Sequence, residues 1–592
     1  MTPIAIAPTV RLGGSPLSTA WEQALIECRV ELPVRAPNRV TLRFVDPGYT
    51  LATSGQVTLG APLTVSVPPT PGNDSSVVLA EVEVTAIGVE QEEGEQPELV
   101  LTAMDKSHRM ARGTVIKTYL TQTYSDIVTQ IADKYGLTAK ATSTSEAFDY
   151  VLQVDCDMGM LSEMASRAGF DWYVVAGTLH FAPPSLDEPV VMQLGAELRN
   201  FSVRTGGHHP GSVEVYGWDR DKQQQIVGTA SSPTLVLDSD LAKLGKEPDS
   251  AFGEAKLATA ALAAGSDAEA ERLSQALLDI SAAAAVRAHG LSDIDGRLRP
   301  GRAVRVEDSG PLSGNYPITR VEHSYRARRG FISRFWSGER LGDTAGTGIA
   351  NRQGLLLGAG THHPGLVVGE VTNINDPNQA GRVKVRFPGL DEHTESSWAR
   401  IVSQGGGPSR GNVAIPLVGD EVLVGFEHGD PRQPVVLGGL YGGKNAIPKW
   451  TVEDGEVTAW RTTSRLGHIT EFGDGTDNKD QYYMVQLAGA EQTLSMSKVA
   501  TKLEVASGNP VTIKAGGTQI EFSSSGDITM KAPNITIQAE QALKLSGLKI
   551  QVSANTELQL QGNTTTSLKG GATLQMEGGA TASLKGGIVQ IN

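Results

Sequence analysis

Over the last 90 residues, apolar positions recur in triplets around a polar residue, as in Ile528-Thr529-Met530, Ile535-Thr536-Ile537, Leu543-Lys544-Leu545, Ile550-Gln551-Val552 and Leu558-Gln559-Leu560. The last member of each triplet and its counterparts form a ladder: Val505, Ile513, Phe522, Met530, Ile537, Leu545, Val552, Leu560, Leu568, Met576 and Leu584. The steps are 8, 9, 8, 7, 8, 7, 8, 8, 8 and 8 residues. Such a short fixed period predicts a repetitive β-structure rather than a compact domain. Gly562, Gly570, Gly578 and Gly586 each stand two residues beyond a ladder position and read as corners.

Eight extended residues span about 26 Å at ~3.3 Å each, too little for one chain to circle a filled core. Three chains that each contribute one octad per layer would form a triangular prism. The ladder would fill its interior, with Lys544, Gln559, Lys569 and Lys585 outside. The expectation is an intertwined homotrimer. An ordinary sandwich would have strands of varied length and more aromatics than the one, Phe522, in this span.

Upstream, residues 364–443 carry short apolar runs at 366–368, 383–387, 398–402, 413–415, 422–426 and 435–437, punctuated by Gly and Pro. Five or six such strands predict an OB-like barrel. The Gly-rich stretch 346–360 reads as a linker. Residues 1–343 are mixed. Runs at 26–32, 40–44, 63–67 and 77–87 read as strands, and 125–135 and 161–168 have helical spacing with caps expected at Ser125 and Asp157. An Ala-rich helical pair is expected over 251–289, broken near Gly265-Ser266-Asp267, with Ser266 or Asp267 capping the second helix. Strands follow at 303–306 and 316–321.

Composition narrows the class. A chain of 592 residues implies several folded units at about 100–200 residues per domain, and its 39% hydrophobic and 20% charged content excludes wholesale disorder. A net charge of −15 argues against a general phosphate-binding surface. Cys28 and Cys156, the only cysteines, are too few for a disulfide framework or a four-thiolate zinc site and are expected as buried filler. Residues 1–9 lack the basic start and cleavage pattern of a signal peptide. No apolar run approaches the ~20 residues that span a bilayer. The expectation is synthesis as a soluble cytoplasmic chain.

Candidate chemistry is sparse. His208-His209-Pro210 and His362-His363-Pro364 present imidazoles, but neighbours on an extended chain point to opposite faces and cannot chelate alone. Ser409, His428 and Asp430 contain the ingredients of a hydrolase triad without a nucleophile elbow. Glu453, Asp454, Glu456, Glu471, Asp474, Asp477 and Asp480 lie among polar turn residues, as solvated loops do rather than a general acid–base pair. Arg382, Lys384 and Arg386 alternate on one strand face, yet residues 351–445 hold eight Lys+Arg against nine Asp+Glu. A solvated face, or salt bridges to another subunit, is expected there instead of a nucleic-acid groove. No cofactor, metal or catalytic residue is expected.

The barrel region resembles the VgrG-like hub and spike proteins of contractile injection systems. The resemblance rests on Gly369-Glu370-Val371, Asp376-Pro377, Gly381-Arg382-Val383-Lys384-Val385, Trp398-Ala399-Arg400, Pro416, Gly419-Asp420-Glu421-Val422, Phe426, Gly429-Asp430-Pro431, Pro434 and Gly438. The octad needle is a second shared feature. Weaker hub motifs are Asp105-Lys106-Ser107-His108, Thr123 to Val128, Tyr135-Gly136-Leu137, Met160-Leu161, Gly169-Phe170-Asp171-Trp172, Pro300-Gly301, Gly314-Asn315-Tyr316 and His323. The opening, 10–17 and 31–47, looks closer to phage-type and extracellular injection-system hubs than to type VI secretion hubs.

The resemblance implies a mainly β fold with an α+β hub over 1–343, a linker at 344–363, an OB domain at 364–445, a connector at 446–500 and a trimeric β-helix at 501–592. It implies a non-enzymatic homotrimeric spike within a contractile particle. Its partners would be inner-tube and baseplate proteins, a PAAR-type tip protein at the carboxyl end, effector cargo, and transiently a target membrane, with no nucleic acid. Some relatives carry a lysozyme domain between barrel and needle, a histidine-rich apex or a toxin extension, and none of these is expected here. The alternative is a trimeric tailspike that cleaves cell-surface polysaccharide.

Overall fold

The computed structural model describes residues 7–68, 75–207, 209–219, 222–235, 237, 239–244, 248–338, 365–389, 391–408, 410–444, 446–447, 452–475 and 481–591. The expected linker, His208, the tripeptide His362-His363-Pro364, Ser409, Asp477 and Asp480 lie outside these. The chain divides into two units, residues 1–446 and 447–592, each described here by itself.

The first unit is organised by an eleven-stranded antiparallel sheet. Its order is Leu198–Thr205, Val286–Asp293, Gly330–Ser337, Arg320–Arg326, Leu25–Pro33, Arg39–Val45, Glu98–Met104, Val77–Glu90, Pro62–Val67, Thr9–Leu12 and Ser15–Pro16. Strict alternation drives its burial, so Val40, Leu42 and Phe44 face the core while Arg39 and Arg43 face outward to Glu31, Glu90 and Glu98. Trp21 of the short helix α1 (Thr19–Ala24) closes edge-on over Phe44, with centroids 5.0 Å apart. Cys28 is fully buried in this core as expected, its thiol pushed up by burial and the nearby Glu27.

His323 is also fully buried, its Nδ1 2.8 Å from Ser333 Oγ across the strand pair. Burial pulls its pKa from 6.5 to about 4. The folded state therefore binds fewer protons than the unfolded one. The contribution is complete above pH 6.5 and declines as pH falls toward 4, by about 3 kcal/mol in all. Melting curves are expected to show a lower Tm at pH 4.5 than at pH 7, with a flatter pH dependence in His323→Gln. An equal slope in the variant would assign the effect elsewhere.

A second core lies under helices α2 (Tyr124–Lys134) and α3 (Asp157–Ala168), which cover two small sheets. Both helices appear where the spacing predicts them, but their caps are not those expected. Thr123, not Ser125, caps α2, in a reciprocal pair with Asp126. Cys156, not Asp157, caps α3, its Sγ accepting from Gly159 N at 3.3 Å. Cys156 is therefore a capping group and not buried filler. Gly169, at φ 71°, stops α3 in a left-handed turn. The next residues turn inward: Asp171 pairs with Arg35 at 2.8 Å, and Trp172 is fully buried with its indole N–H donating to Ser162 Oγ at 3.0 Å.

The third core joins strands Ser212–Asp219, Gln224–Ala230 and Lys256–Ala264 to helix α6 (Asp267–Ala285), after two short helices, α4 (Asp240–Lys243) and α5 (Pro248–Phe252). Here the expected helical pair is corrected. Its first half is the strand Lys256–Ala264, parallel to Ser212–Asp219. The second half is α6, capped by Ser266 as expected.

The barrel is a six-stranded sheet in the order Asp391–Glu395, Lys384–Phe387, Leu366–Asn373, Glu421–Phe426, Pro434–Gly439 and Arg400–Ile401. A bridge between Val383 and Ala399 links the two flanks around a core that includes Val371, Val385, Phe387, Val422, Val424 and Val436. The expected strand at 413–415 is not formed; this segment is extended loop with Val413 83% exposed.

In the second unit, strands Ala459–Thr463, Ile469–Gly473, Tyr482–Gln486, Gln492–Ser497 and Thr501–Val505 form an antiparallel meander, followed by a three-stranded one, Val511–Ala515, Thr518–Phe522 and Ile528–Lys531. The first four ladder positions thus sit on antiparallel strands. Their reversals use tight turns, among them the two-residue hairpin Gly516-Gly517, where Gly516 has φ 57°. Among the described residues beyond Lys531 no strand is formed. The backbone there bends at 555–556, 563–564, 571–572, 579–580 and 587–588, a spacing of eight.

Candidate functional site

The barrel motif residues build turns. Asp376 accepts hydrogen bonds from the backbone N–H groups of Asn378, Ala380 and Arg382 and pairs with the Arg382 guanidinium at 2.8 Å. The Arg382 contact, together with these N–H donors, holds the Asp376 carboxyl well below the usual carboxylate range. Gly381 and Gly419 sit at φ 74° and 93°, where a side chain would be strained. Val383 is buried, Lys384 Nζ lies 5.5 Å from the Trp398 ring centroid, and Asp420 accepts from Leu417 N at 2.8 Å just before Glu421 opens its strand. The basic strand face is spoken for within the barrel itself. Arg382 pairs with Asp376, Lys384 with Glu395 and Arg386 with Glu370.

Asp430 behaves differently. It belongs to the tight reversal Glu427–Gln433, closed by Asp430 N to Glu427 O at 3.0 Å and Gln433 N to Asp430 O at 2.9 Å, with His428 and Gly429 at φ 53° and 74°. Its carboxylate accepts from Arg432 N at 2.9 Å and from the Arg432 guanidinium at 2.6 Å, and it faces Arg167 Nη2 of α3 at 3.5 Å. Arg432 continues toward the amino-terminal part of the same unit, where its Nη1 lies 2.8 Å from Glu269 Oε1 on α6. That contact is an ion pair whose N–H direction does not form a hydrogen bond. Arg432 Cζ also stands 4.9 Å from the centroid of Phe148, whose ring stacks on Tyr124 at 4.7 Å.

These charges are 5–13% exposed as side chains. Burial works to raise the Asp430 pKa, but Arg432 and Arg167 outweigh it and hold the group at about 2 against its usual 3.8. Its contribution is therefore complete above pH 3.8 and lost as pH falls through 2. The mild-acid sensitivity of this unit belongs to His323 and to His180, which burial and the nearby Lys140 and Arg299 likewise lower from 6.5 to about 4, and not to Asp430.

Among the described residues the other candidate groups are not brought together. His209 is buried against its neighbour Pro210, its Nδ1 3.2 Å from the Pro210 carbonyl. Glu471 is buried as the partner of Arg461 and Tyr482, and Tyr482 is pushed up to about 12 by burial and by that carboxylate. Glu453, Asp454 and Glu456 are exposed around a short turn. Among the described residues no group of three His, Cys, Asp or Glu side chains could hold a metal ion. No described helix is long and apolar enough to cross a membrane.

The second unit presents a different surface. Cross-strand register places Val511, Ile513, Ile520, Phe522, Ile528 and Met530 on one face of the three-stranded sheet, with Thr512, Lys514, Gln519, Glu521, Thr529 and Lys531 on the other. In the five-stranded sheet Trp460, Phe472, Tyr483 and Met496 align across four strands, with Trp460 and Phe472 stacked at 5.5 Å. These apolar faces are uncovered within one chain. The ladder itself is half-buried at Val505 and exposed from Ile513 (58%) through Phe522 (43%), Met530, Ile537, Leu545, Val552, Leu560, Leu568 and Met576 to Leu584 (71%). At Gly562, Gly570 and Gly578 a Cβ would lie 2.6, 2.3 and 2.5 Å from the carbonyl oxygen three residues on. Those positions require glycine for close approach and not for a left-handed backbone; Gly586 is looser, at 3.2 Å from Ile588 O.

Residues 367–441 match the type VI secretion system and phage-baseplate injector OB domain. A second family model, the Alg8 N-terminal domain, matches residues 81–326, a span that starts inside the strand Val77–Glu90 and so cuts across the large sheet. Among curated proteins, the Pseudomonas aeruginosa type VI secretion system spike protein VgrG5 is 44% identical over 94 residues, 15% of this chain and 12% of that protein. The Vibrio cholerae spike protein VgrG3 is 38% identical over 92 residues, 15% of this chain and 9% of that one. The Vibrio cholerae actin cross-linking toxin VgrG1 is 36% identical over 95 residues, 15% and 9% of the two chains. The chain thus aligns with about a tenth of the length of these relatives. Among solved structures, the Escherichia coli c3393 protein, a component of the type VI secretion system, overlaps 73% of this chain and 99% of its own at 15% identity and TM-score 0.44. The half-lidded Francisella PdpA–VgrG complex overlaps 84% and 88% at 7% identity and TM-score 0.47.

Proposed function

We propose that this chain, whose residues 367–441 match the injector OB domain, is a VgrG-like protein: the central spike of a contractile injection machine, working as a homotrimer. The observation that carries the reading is an injector-type OB barrel followed by a periodic apolar ladder that one chain leaves in water. Burying a Leu, Ile or Val side chain is worth about 2 kcal/mol. Eleven ladder positions per chain therefore supply on the order of 20 kcal/mol toward association, against the entropy of ordering the segment. Three identical chains cover the ladder with itself and leave the polar residues between its rungs outside.

In this reading residues 1–343 seat the inner tube and baseplate, and the carboxyl end carries a PAAR-type tip protein and effector cargo into a target membrane. The chain's task is mechanical, not catalytic. A prism of three chains resists axial load because its backbone pairing runs continuously around a dry core. Mass photometry of the purified chain is expected to give three times 62.5 kDa, and electron cryomicroscopy of the assembled particle to show the tube at the amino-terminal module. A monomer that persists at micromolar concentration would refute the spike reading.

A further inference from the structure

Among the described residues the barrel and the hub have separate apolar cores, and no apolar cluster is shared between the barrel and either the helical lobe or the α6 lobe. A charged cluster lies between them. Asp430 and Arg432 come from the barrel, Arg167 and Glu269 from two hub helices, and Phe148 and Tyr124 form the aromatic floor. Three further charged groups complete the surroundings. Glu163 lies 3.4 Å from Arg167, and Arg272 pairs with Glu146, which also accepts from Ser266 Oγ at 3.2 Å.

We propose that this cluster is a latch: the hub surface made by Tyr124, Phe148, Arg167 and Glu269 is a dedicated seat for the barrel's Glu427–Gln433 reversal and sets the barrel's position on the hub. Two features support a built seat over an incidental contact. The reversal is pre-shaped by its own backbone hydrogen bonds and two left-handed residues, so little is left to order on docking. The Arg432 guanidinium meets two carboxylates and an aromatic face at once, which an exposed arginine does not do by chance.

A charged seat also behaves unlike an apolar one. Removing one member of a buried ion cluster leaves its partner uncompensated, so the joint is intolerant of truncation. Separating the whole cluster returns every charge to water and uncovers the aromatic floor of Phe148 and Tyr124. The inference goes beyond the spike reading and does not depend on it, because both sides of the seat lie in one chain.

Hydrogen exchange on the full-length chain tests it. In Arg432→Met, protection of amides in 427–433 and in 266–272 is expected to fall at least tenfold together, while Val422, Val424, Ile127 and Leu161 in the two cores keep theirs. Arg432→Lys, which retains the charge but not the planar fork, is expected to restore only part of the loss. Unchanged protection, or loss confined to 427–433, would overturn the latch. Should the barrel core itself loosen in Arg432→Met, Arg167→Met decides from the hub side. Loss at 427–433 would then support the seat, and no change there would overturn it.

Discussion

Leu568→Asp is expected to leave the protein monomeric. In a threefold assembly the substitution places three carboxylates in one layer of the core, each carrying a desolvation cost of several kcal/mol, on the order of 10 kcal/mol for the layer. It also removes three leucines, about 2 kcal/mol each. Together these outweigh what neighbouring layers supply. Leu545→Asp is expected to act the same way, whereas Lys569→Asp, one residue from the ladder, should leave the assembly intact. Mass photometry distinguishes the outcomes, and an intact trimer for Leu568→Asp would dismiss the prism.

The second large effect is expected at Gly228. The strand Gln224–Ala230 passes so close to α6 that a Cβ at this position would lie 2.1 Å from the Ala270 carbonyl carbon and 2.3 Å from Glu271 N. Both are backbone atoms, so no side-chain rotation relieves the clash and α6 must move off the sheet. Gly228→Ala should therefore cost roughly 3 kcal/mol, at the upper end for overpacking. Because α6 carries Glu269, the same variant should also loosen the barrel's seat. Thermal denaturation of Gly228→Ala against Gly442→Ala, in the open near Glu421, checks this, and equal midpoints would show that α6 has more freedom than its packing implies.

Strands such as Leu25–Pro33, Arg39–Val45, Pro62–Val67, Val77–Glu90 and Ala303–Glu307, and three helices, follow from local patterning, because alternation and 3.6-residue spacing report directly which face is buried. The strand Lys256–Ala264 did not, since Lys-Leu-Ala-Thr-Ala-Ala-Leu-Ala-Ala reads as a good helix. Its partner decides otherwise. Gly217 lies against Ala264, where a Cβ would stand 2.3 Å from the Ala264 carbonyl oxygen, and only small residues pass at that distance. Tertiary packing thus overrides propensity here. The junction was hidden for a related reason. Asp430 stands out as part of a motif, but Arg167 is 263 positions away, and no spacing rule links them. A usable signal was the excess of charge in Gly429-Asp430-Pro431-Arg432, two opposite charges in a tight turn that solvent alone does not require. The octad period masks the hairpins over 511–531, although Gly516-Gly517 and Ser523 to Asp527 carry turn chemistry.

The uncovered ladder has a consequence for the chain's life before assembly. A newly made polypeptide carries a row of bare apolar rungs over its last 90 residues, relieved by few charges. Such a segment meets strangers as readily as siblings. Productive maturation therefore competes with aggregation on the clock of chain encounter. Under the proposed threefold assembly, clustered synthesis on neighbouring ribosomes, by raising local concentration, would do more for the yield of assembled protein than any gain in the stability of the single chain.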